Sequence, residues 1–199
     1  MPHIVLASGS PRRQELLRRI GITDFAVVVP EADERFDPSL GAAEIVAQIA
    51  REKAAAARAL TAEDDLVITA DTMVFLDDAR LGKPRDEADA LRMLTALSGR
   101  RHTVRTGVTV RRGDRLICFT AATDVYFRAA SERELRAYIR TGEPMDKAGA
   151  YGVQGLGALL VERIDGDFFN VMGLPLLPLA EALRAFGVDP LGVSNKESG

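Results

Sequence analysis

The chain has one cysteine, no tryptophan and only two histidines in its 199 residues. A lone Cys118 excludes an internal disulfide, and its neighbours Leu116, Ile117 and Phe119 predict a small apolar core residue. His3 and His102 lie far apart in sequence, so a histidine-built metal site is not expected. Long apolar runs are missing as well. The longest stretch without a charge, Ala148 to Val161, is 14 residues and carries four glycines, short of the roughly 20 apolar residues that span a bilayer. Only a short apolar run, Ile4 to Ala7, stands at the N-terminus, with no basic residue before it, so no secretory signal is expected. A reducing cytoplasm is the expected setting, with no membrane partner. A strong excess of one charge is also lacking: the net charge is -3, which argues against a nucleic-acid partner. With 47% hydrophobic and 28% charged residues, the chain reads as an ordinary globular protein, one domain or two small lobes sharing a core, rather than a disordered or fibrous one.

Lysine is the last scarcity. Of 26 basic residues only four are lysine, at Lys53, Lys83, Lys147 and Lys196, and 22 are arginine. Where solvated positions have drifted to arginine, a retained lysine marks a place that needs a compact ammonium. Lys196 lies in the polar tail and is set aside.

Strand and helix patterns alternate along the chain. Ile4–Ala7 reads as a buried strand, followed by helices over about 11–20 and 42–60. Leu66–Leu76 reads as a nearly apolar strand. A helix over about 86–97 stops at Gly99, and two alternating strands, about 103–111 and 116–127, join at Arg112-Gly113-Asp114. A helix over 132–140 leads into a Gly-rich segment. Asp165-Gly166 predicts a second hairpin, and a last helix fits from near Pro178 to Phe186. Helices between strands, plus two hairpins, predict an α/β fold with a mixed sheet and flanking helices.

Several residues carry chemistry. Ser8-Gly9-Ser10-Pro11-Arg12-Arg13 sits where a strand ends and a helix begins, with Ser10 as N-cap and Pro11 at the first helical position. Free backbone N–H groups, hydroxyls and guanidinium groups converge there, which suits a phosphate, although the spacing is not that of a Walker A loop. On the second helix, Ile45, Val46, Ile49 and Ala50 define the apolar stripe, and Lys53 falls in its middle. An ammonium there demands an anion, unless its stem snorkels past the alanines to water. Asp71 interrupts the Leu66–Leu76 strand. A carboxylate so placed is a base or a metal ligand, or half of a structural salt bridge. Glu31, Asp33 and Glu34 form an acidic cluster that by itself reads as solvated surface. Lys83 follows the central strand in Gly82-Lys83-Pro84. In the segment Asp146 to Gly157, four glycines within nine residues permit close backbone approach. Tyr151 favours a packed ligand loop there, and Gln154 both donates and accepts.

Taken in order, these segments resemble the Maf family of nucleoside triphosphate pyrophosphatases: LASGSPRR, EADE, the REKA around Lys53, ADT, GKP, SGRRHTVRTGV, DKAGAYGVQG and NVMGLPL. The resemblance runs from Leu6 to about Phe186. Thr69 stands where a glycine is usual and Phe168 where a tyrosine is common. The resemblance implies an inosine triphosphate pyrophosphatase-like fold of two lobes over residues 1–199, with the active-site cleft between the lobes and a frayed tail from 189. It implies hydrolysis of a nucleoside triphosphate to the monophosphate and pyrophosphate with Mg2+ or Mn2+. Asp71 is the implied proton acceptor, with Lys53 and Lys83 catalytic and Glu34 and Asp71 at the metal. Ser8, Arg12, Arg13, Thr72 and Gln154 are the implied substrate-binding residues. Gly9 and the full Asp146–Gly155 run resemble the dTTP/UTP subgroup rather than the 7-methylguanosine triphosphate one. The family link to septum inhibition leaves a nucleotide-binding regulator of division as the other reading, and a homodimer is compatible with either.

Overall fold

In a computed structural model, residues 2–32, 36–37 and 39–192 are described. The strands are β1 (Ile4–Ala7), β2 (Ala26–Val28), β3 (Leu66–Leu76), β4 (Ala79–Leu81), β5 (Arg101–Arg112), β6 (Arg115–Phe127) and β7 (Val161–Asp165). The helices are α1 (Pro11–Arg19), α2 (Ala42–Ala56), α3 (Glu87–Leu97), α4 (Glu132–Ile139), α5 (Phe168–Met172) and α6 (Leu176–Ala185). All seven strands form one mixed sheet in the order β2-β1-β3-β5-β6-β7, with β4 on β3. β1 pairs in parallel with both β2 and β3, whereas the β3–β4 and β6–β7 pairs are antiparallel. No helix among the described residues is long and apolar enough to cross a membrane.

The chain divides into two compact units. One comprises Met1–Asp71, Gly107–Thr120 and Gly173–Gly199; the other comprises Thr72–Thr106 and Ala121–Met172. In the first, α2 buries Ile45, Val46, Ile49 and Ala50, the stripe that the helical spacing predicts, and Ala54 beside them. Its N-terminus is closed by the Glu44 carboxylate, which accepts from the Gly41 N–H at 3.0 Å. The helix lies so close to β5 that a Cβ on Gly107 would stand 2.7 Å from Ala47 N. Only glycine fits there.

The second unit has its own core, in which Leu94, Leu97, Val104, Val125, Phe127, Leu135 and Tyr151 are buried together. Within it His102, 2% exposed, stacks edge-on to Phe127 and Tyr151 and meets the Tyr151 hydroxyl at 2.8 Å. The aromatic contacts anchor the Gly-rich segment that follows α4.

Three expectations are corrected. Asp165-Gly166 is not a hairpin: β7 ends at Asp165 and the chain runs through Gly166, at φ +123°, to Asp167, whose carboxylate accepts from Phe169 N at 2.7 Å and opens α5. Buried Asn170 then fixes that helix by donating to Val104 O and Thr123 Oγ1. Cys118 is half-buried rather than core, because this stretch of β6 is only partly covered: Ile117 and Phe119 are half-buried and Leu116 is exposed. The last helix begins at Leu176 rather than Pro178, since proline is tolerated in a first helical turn. From 193 the expected frayed tail lies outside the described residues, while Asp189 before it accepts from Arg184 at 3.1 Å.

The His102 setting has a pH consequence. Burial, partly offset by Asp124, pulls its pKa from 6.5 down to about 4. The unfolded chain therefore binds the proton first, and stability present above pH 6.5 is lost as pH falls toward 4. The loss is on the order of 3 kcal/mol. Urea titrations at pH 7 and pH 4.5 measure it, and His102→Gln should remove most of the difference.

Candidate active site

The first unit builds its polar centre at the C-terminal end of parallel strands. Leu6 of β1 lies opposite Ile68 of β3. Ser8 therefore leaves β1 at the same end where Asp71 closes the first buried run of β3. Ligand sites in open α/β sheets form at such strand ends. Ser10 caps α1 by accepting from Arg13 N at 3.5 Å. Arg13 folds back: its Nε donates to Gly173 O at 2.8 Å and its Nη1 to Ser8 Oγ at 3.0 Å. Arg12 and Arg13 are both half-buried.

The strand and helix periods together place the central pair. Thr69 Oγ1 donates to Ala50 O at 2.7 Å and fastens α2 to β3. One helical turn on stands Lys53, and two strand residues on stands Asp71, so both point to the same side of this fastening. Lys53 Nζ donates to Asp71 Oδ1 at 2.8 Å, with side chains 17% and 10% exposed. The anion that the apolar stripe demands is thus supplied by the chain itself. Asp71 Oδ2 is buried and makes no hydrogen bond. One carboxylate oxygen is held by the ammonium, and the other is left for a proton or a cation.

The second unit carries Thr72, Lys83 and Gln154. The Thr72 and Thr106 hydroxyls meet at 3.0 Å, and Thr106 Oγ1 donates to Asn170 O at 3.1 Å. Lys83 is exposed, on a turn whose Gly82 carbonyl accepts from Gly149 N at 3.0 Å, so its backbone is tied to the Gly-rich segment. Gln154 is exposed on that segment. Lys147, the third retained lysine, donates to Glu143 O at 2.5 Å and to Asp146 Oδ1 at 2.6 Å, which makes it a fastener of this segment. Asp33 and Glu34 lie outside the described residues.

The family resemblance implies a divalent cation beside these donors. Among the described residues no group of three or more His, Cys, Asp or Glu is arranged to hold one. The uncompensated Asp71 Oδ2 is nevertheless the hard oxygen that such an ion takes, and Mg2+-type sites use one or two carboxylates with substrate phosphates completing the shell. The donor set fits on those terms.

The profile of the family described as "Maf-like protein" matches residues 3–186. The chain belongs to the Maf family. It is 48% identical over 187 residues to the dTTP/UTP pyrophosphatase of Symbiobacterium thermophilum, covering 94% of this chain and 95% of that protein. It is 47% identical over 183 residues to the Vibrio cholerae protein of the same name, covering 92% and 97%. The Bacillus velezensis protein, named likewise, is 46% identical over 185 residues, with coverage of 93% and 97%. Thr69, where the Maf resemblance places a glycine, is here the residue that fastens α2. Sequence reasoning missed Glu143 and Tyr138, which hold the Gly-rich segment through backbone amides that no local motif marks.

Because Lys53 and Asp71 are both largely desolvated, removing one strands the other. Lys53→Met is expected to fold but to lose about 3–5 kcal/mol of stability. Lys53→Met/Asp71→Asn should regain more than half of it, since no lone charge remains. Denaturant midpoints at unchanged m-value measure the cycle, and strictly additive losses would contradict the pairing.

Proposed function

We infer that this protein hydrolyses nucleoside triphosphates, dTTP and UTP foremost, to the monophosphate and pyrophosphate. The observation that carries the reading is the Lys53–Asp71 pair, with one carboxylate oxygen engaged and the other without a partner. The names of relatives 43–48% identical support the substrate class.

In this reading a water oxygen bonds to the α-phosphorus while the bond from that phosphorus to the oxygen bridging to the β-phosphate breaks. The water proton passes to Asp71 Oδ2, and the electron pair leaves on pyrophosphate. Lys53 fixes the carboxylate by holding Oδ1, so Oδ2 is aimed rather than free to rotate. Arg13 is preorganised by Ser8 and Gly173, and with Arg12 and Ser8 of the same unit it would meet phosphate charge; Lys83 is the cation of the second unit in this reading. Each such donor contributes about 3–4 kcal/mol to the barrier, on the scale of oxyanion-hole deletions. Asp71 and Glu34 would be the carboxylates that hold Mg2+ or Mn2+ in this reading. When bound, that ion lowers the pKa of its water and screens the phosphates.

The base is read by Gln154. Uracil and thymine present O4 beside an N3–H, and a glutamine amide offers the complementary NH₂ and C=O. Cytosine reverses the pattern, so the amide must be held against flipping. A desolvated charge pair is costly for a protein that only binds nucleotides, which favours catalysis over the division-regulator reading. The cytoplasm fits a chain with a single thiol.

Pyrophosphate release from a nucleotide panel with Mg2+ or Mn2+ tests the function. dTTP and UTP should exceed CTP, the purine triphosphates and 7-methylguanosine triphosphate. Gln154→Ala should lower the dTTP-to-CTP ratio of kcat/KM about tenfold or more, as buried base polar groups lose their partner. An unchanged ratio in that variant would place base reading elsewhere, and no release from any nucleotide would end the catalytic reading.

A further inference from the structure

Gln154 sits at the tip of a glycine-rich loop, yet that loop is fastened at both ends by two side chains with no part in the chemistry above. Glu143 follows α4 in a turn opened by Gly142 at φ +76°. Its carboxylate accepts three donors: Leu156 N at 2.8 Å, Gly157 N at 3.0 Å and the Tyr138 hydroxyl at 2.9 Å. The same hydroxyl accepts from Gly152 N at 3.0 Å. The backbone on either side of Gln154 therefore ends on one Glu143–Tyr138 unit.

The glycines are shaped to this unit. A Cβ on Gly155 would stand 2.6 Å from Glu143 Cδ, and one on Gly157 would stand 2.6 Å from the Tyr138 oxygen. A Cβ on Gly152 would meet the Lys147 stem at 2.7 Å. These glycines let the backbone amides close on the carboxylate rather than make the loop mobile. Burial favours the neutral acid of Glu143, but the two amides, the Tyr138 hydroxyl and Lys147 outweigh it and hold its pKa below the usual carboxylate range. Glu143 is thus an anion at neutral pH and a strong acceptor for all three donors.

Resting on the reading of Gln154 as the base-reading residue, we propose that Glu143, acting with Tyr138, is a positioning residue for nucleobase selection. It holds the 152–157 loop in the one shape that presents the Gln154 amide. The physical ground is preorganisation. A loop ordered before binding does not lose its backbone freedom at the moment the base arrives, and a rigid reader leaves a mismatched base unpaired instead of adapting to it.

The test is steady-state kinetics of the full chain with dTTP and CTP, each variant checked for cooperative melting. Glu143→Gln keeps the size of the side chain but turns an –NH₂ toward a backbone N–H, so at least one fastening is lost. The KM for dTTP should rise about tenfold with kcat within about twofold, because binding common to ground and transition states is what is lost. The CTP constants should stay the same. Glu143→Gln/Gln154→Ala should be no less selective than Gln154→Ala alone, because the two act as one unit. Tyr138→Phe removes only the bridging hydroxyl and should shift dTTP in the same direction; it is the readout if Glu143→Gln does not fold. Retained dTTP preference in both variants, beside a flattened preference in Gln154→Ala, would overturn the proposal and leave the base reading standing. An equal fall in kcat for both nucleotides would also overturn it, as that marks a merely structural residue. If Gln154→Ala itself keeps the preference, the base reading fails and the proposal falls with it.

Discussion

A carboxylate on a buried strand and an ammonium on the apolar face of a helix are each unstable alone, and this fold brings them to 2.8 Å. Much of the first unit follows from that requirement. Thr69 fastens α2 to β3 one turn before the pair, and Gly107 lets the same helix lie against β5 without a gap. The pair binds one oxygen of Asp71 and leaves the second buried without a hydrogen bond. Such an atom costs stability in the free protein, and a structural salt bridge has no use for it. A group kept in that state is suited to take a proton or face a cation when substrate arrives.

The second unit solves a different problem by a related device. Exposed backbone between glycines has little to order it, and here a carboxylate supplies what hydrophobic contacts do not. Glu143 replaces water for Leu156 and Gly157, while the His102–Tyr151–Phe127 contacts hold the segment from the core side. Lys147 closes the same turn through Glu143 O. The scarcity of lysine is therefore informative in two ways. Lys53 neutralises a buried acid, and Lys147 packs its stem against Gly152, where no Cβ fits.

What was legible in the sequence is whatever depends on period. The alternation in β5 and β6, the stripe on α2 and the apolar run of β3 mark their elements within a few residues, and the Lys53 and Asp71 anomalies stand out against those runs. Their mutual pairing was not legible, because each is a local surplus of charge and only the packing of α2 on β3 joins them. Short elements escaped for the opposite reason. β2 and β4 have three residues each, too few for a period, and their pairing partners define them. Asp165-Gly166 carries a hairpin signal, but the buried amide of Asn170 and the Asp167 cap prevail over it and yield a helix. Glu143 was invisible because its three donors include backbone amides 13 and 14 residues further along the chain.

In the proposed reaction Asp71 is a working carboxylate rather than half of a structural bridge. The direct measurement is the turnover of dTTP by Asp71→Asn, with pyrophosphate release followed at saturating Mg2+ or Mn2+. The side chain keeps its size and loses only its charge and basicity. The expected result is a fall in kcat of at least about a hundredfold, the usual worth of a general base, with cooperative unfolding retained. Turnover within a few-fold of the unsubstituted protein would contradict it and reduce the Lys53–Asp71 pair to a structural contact.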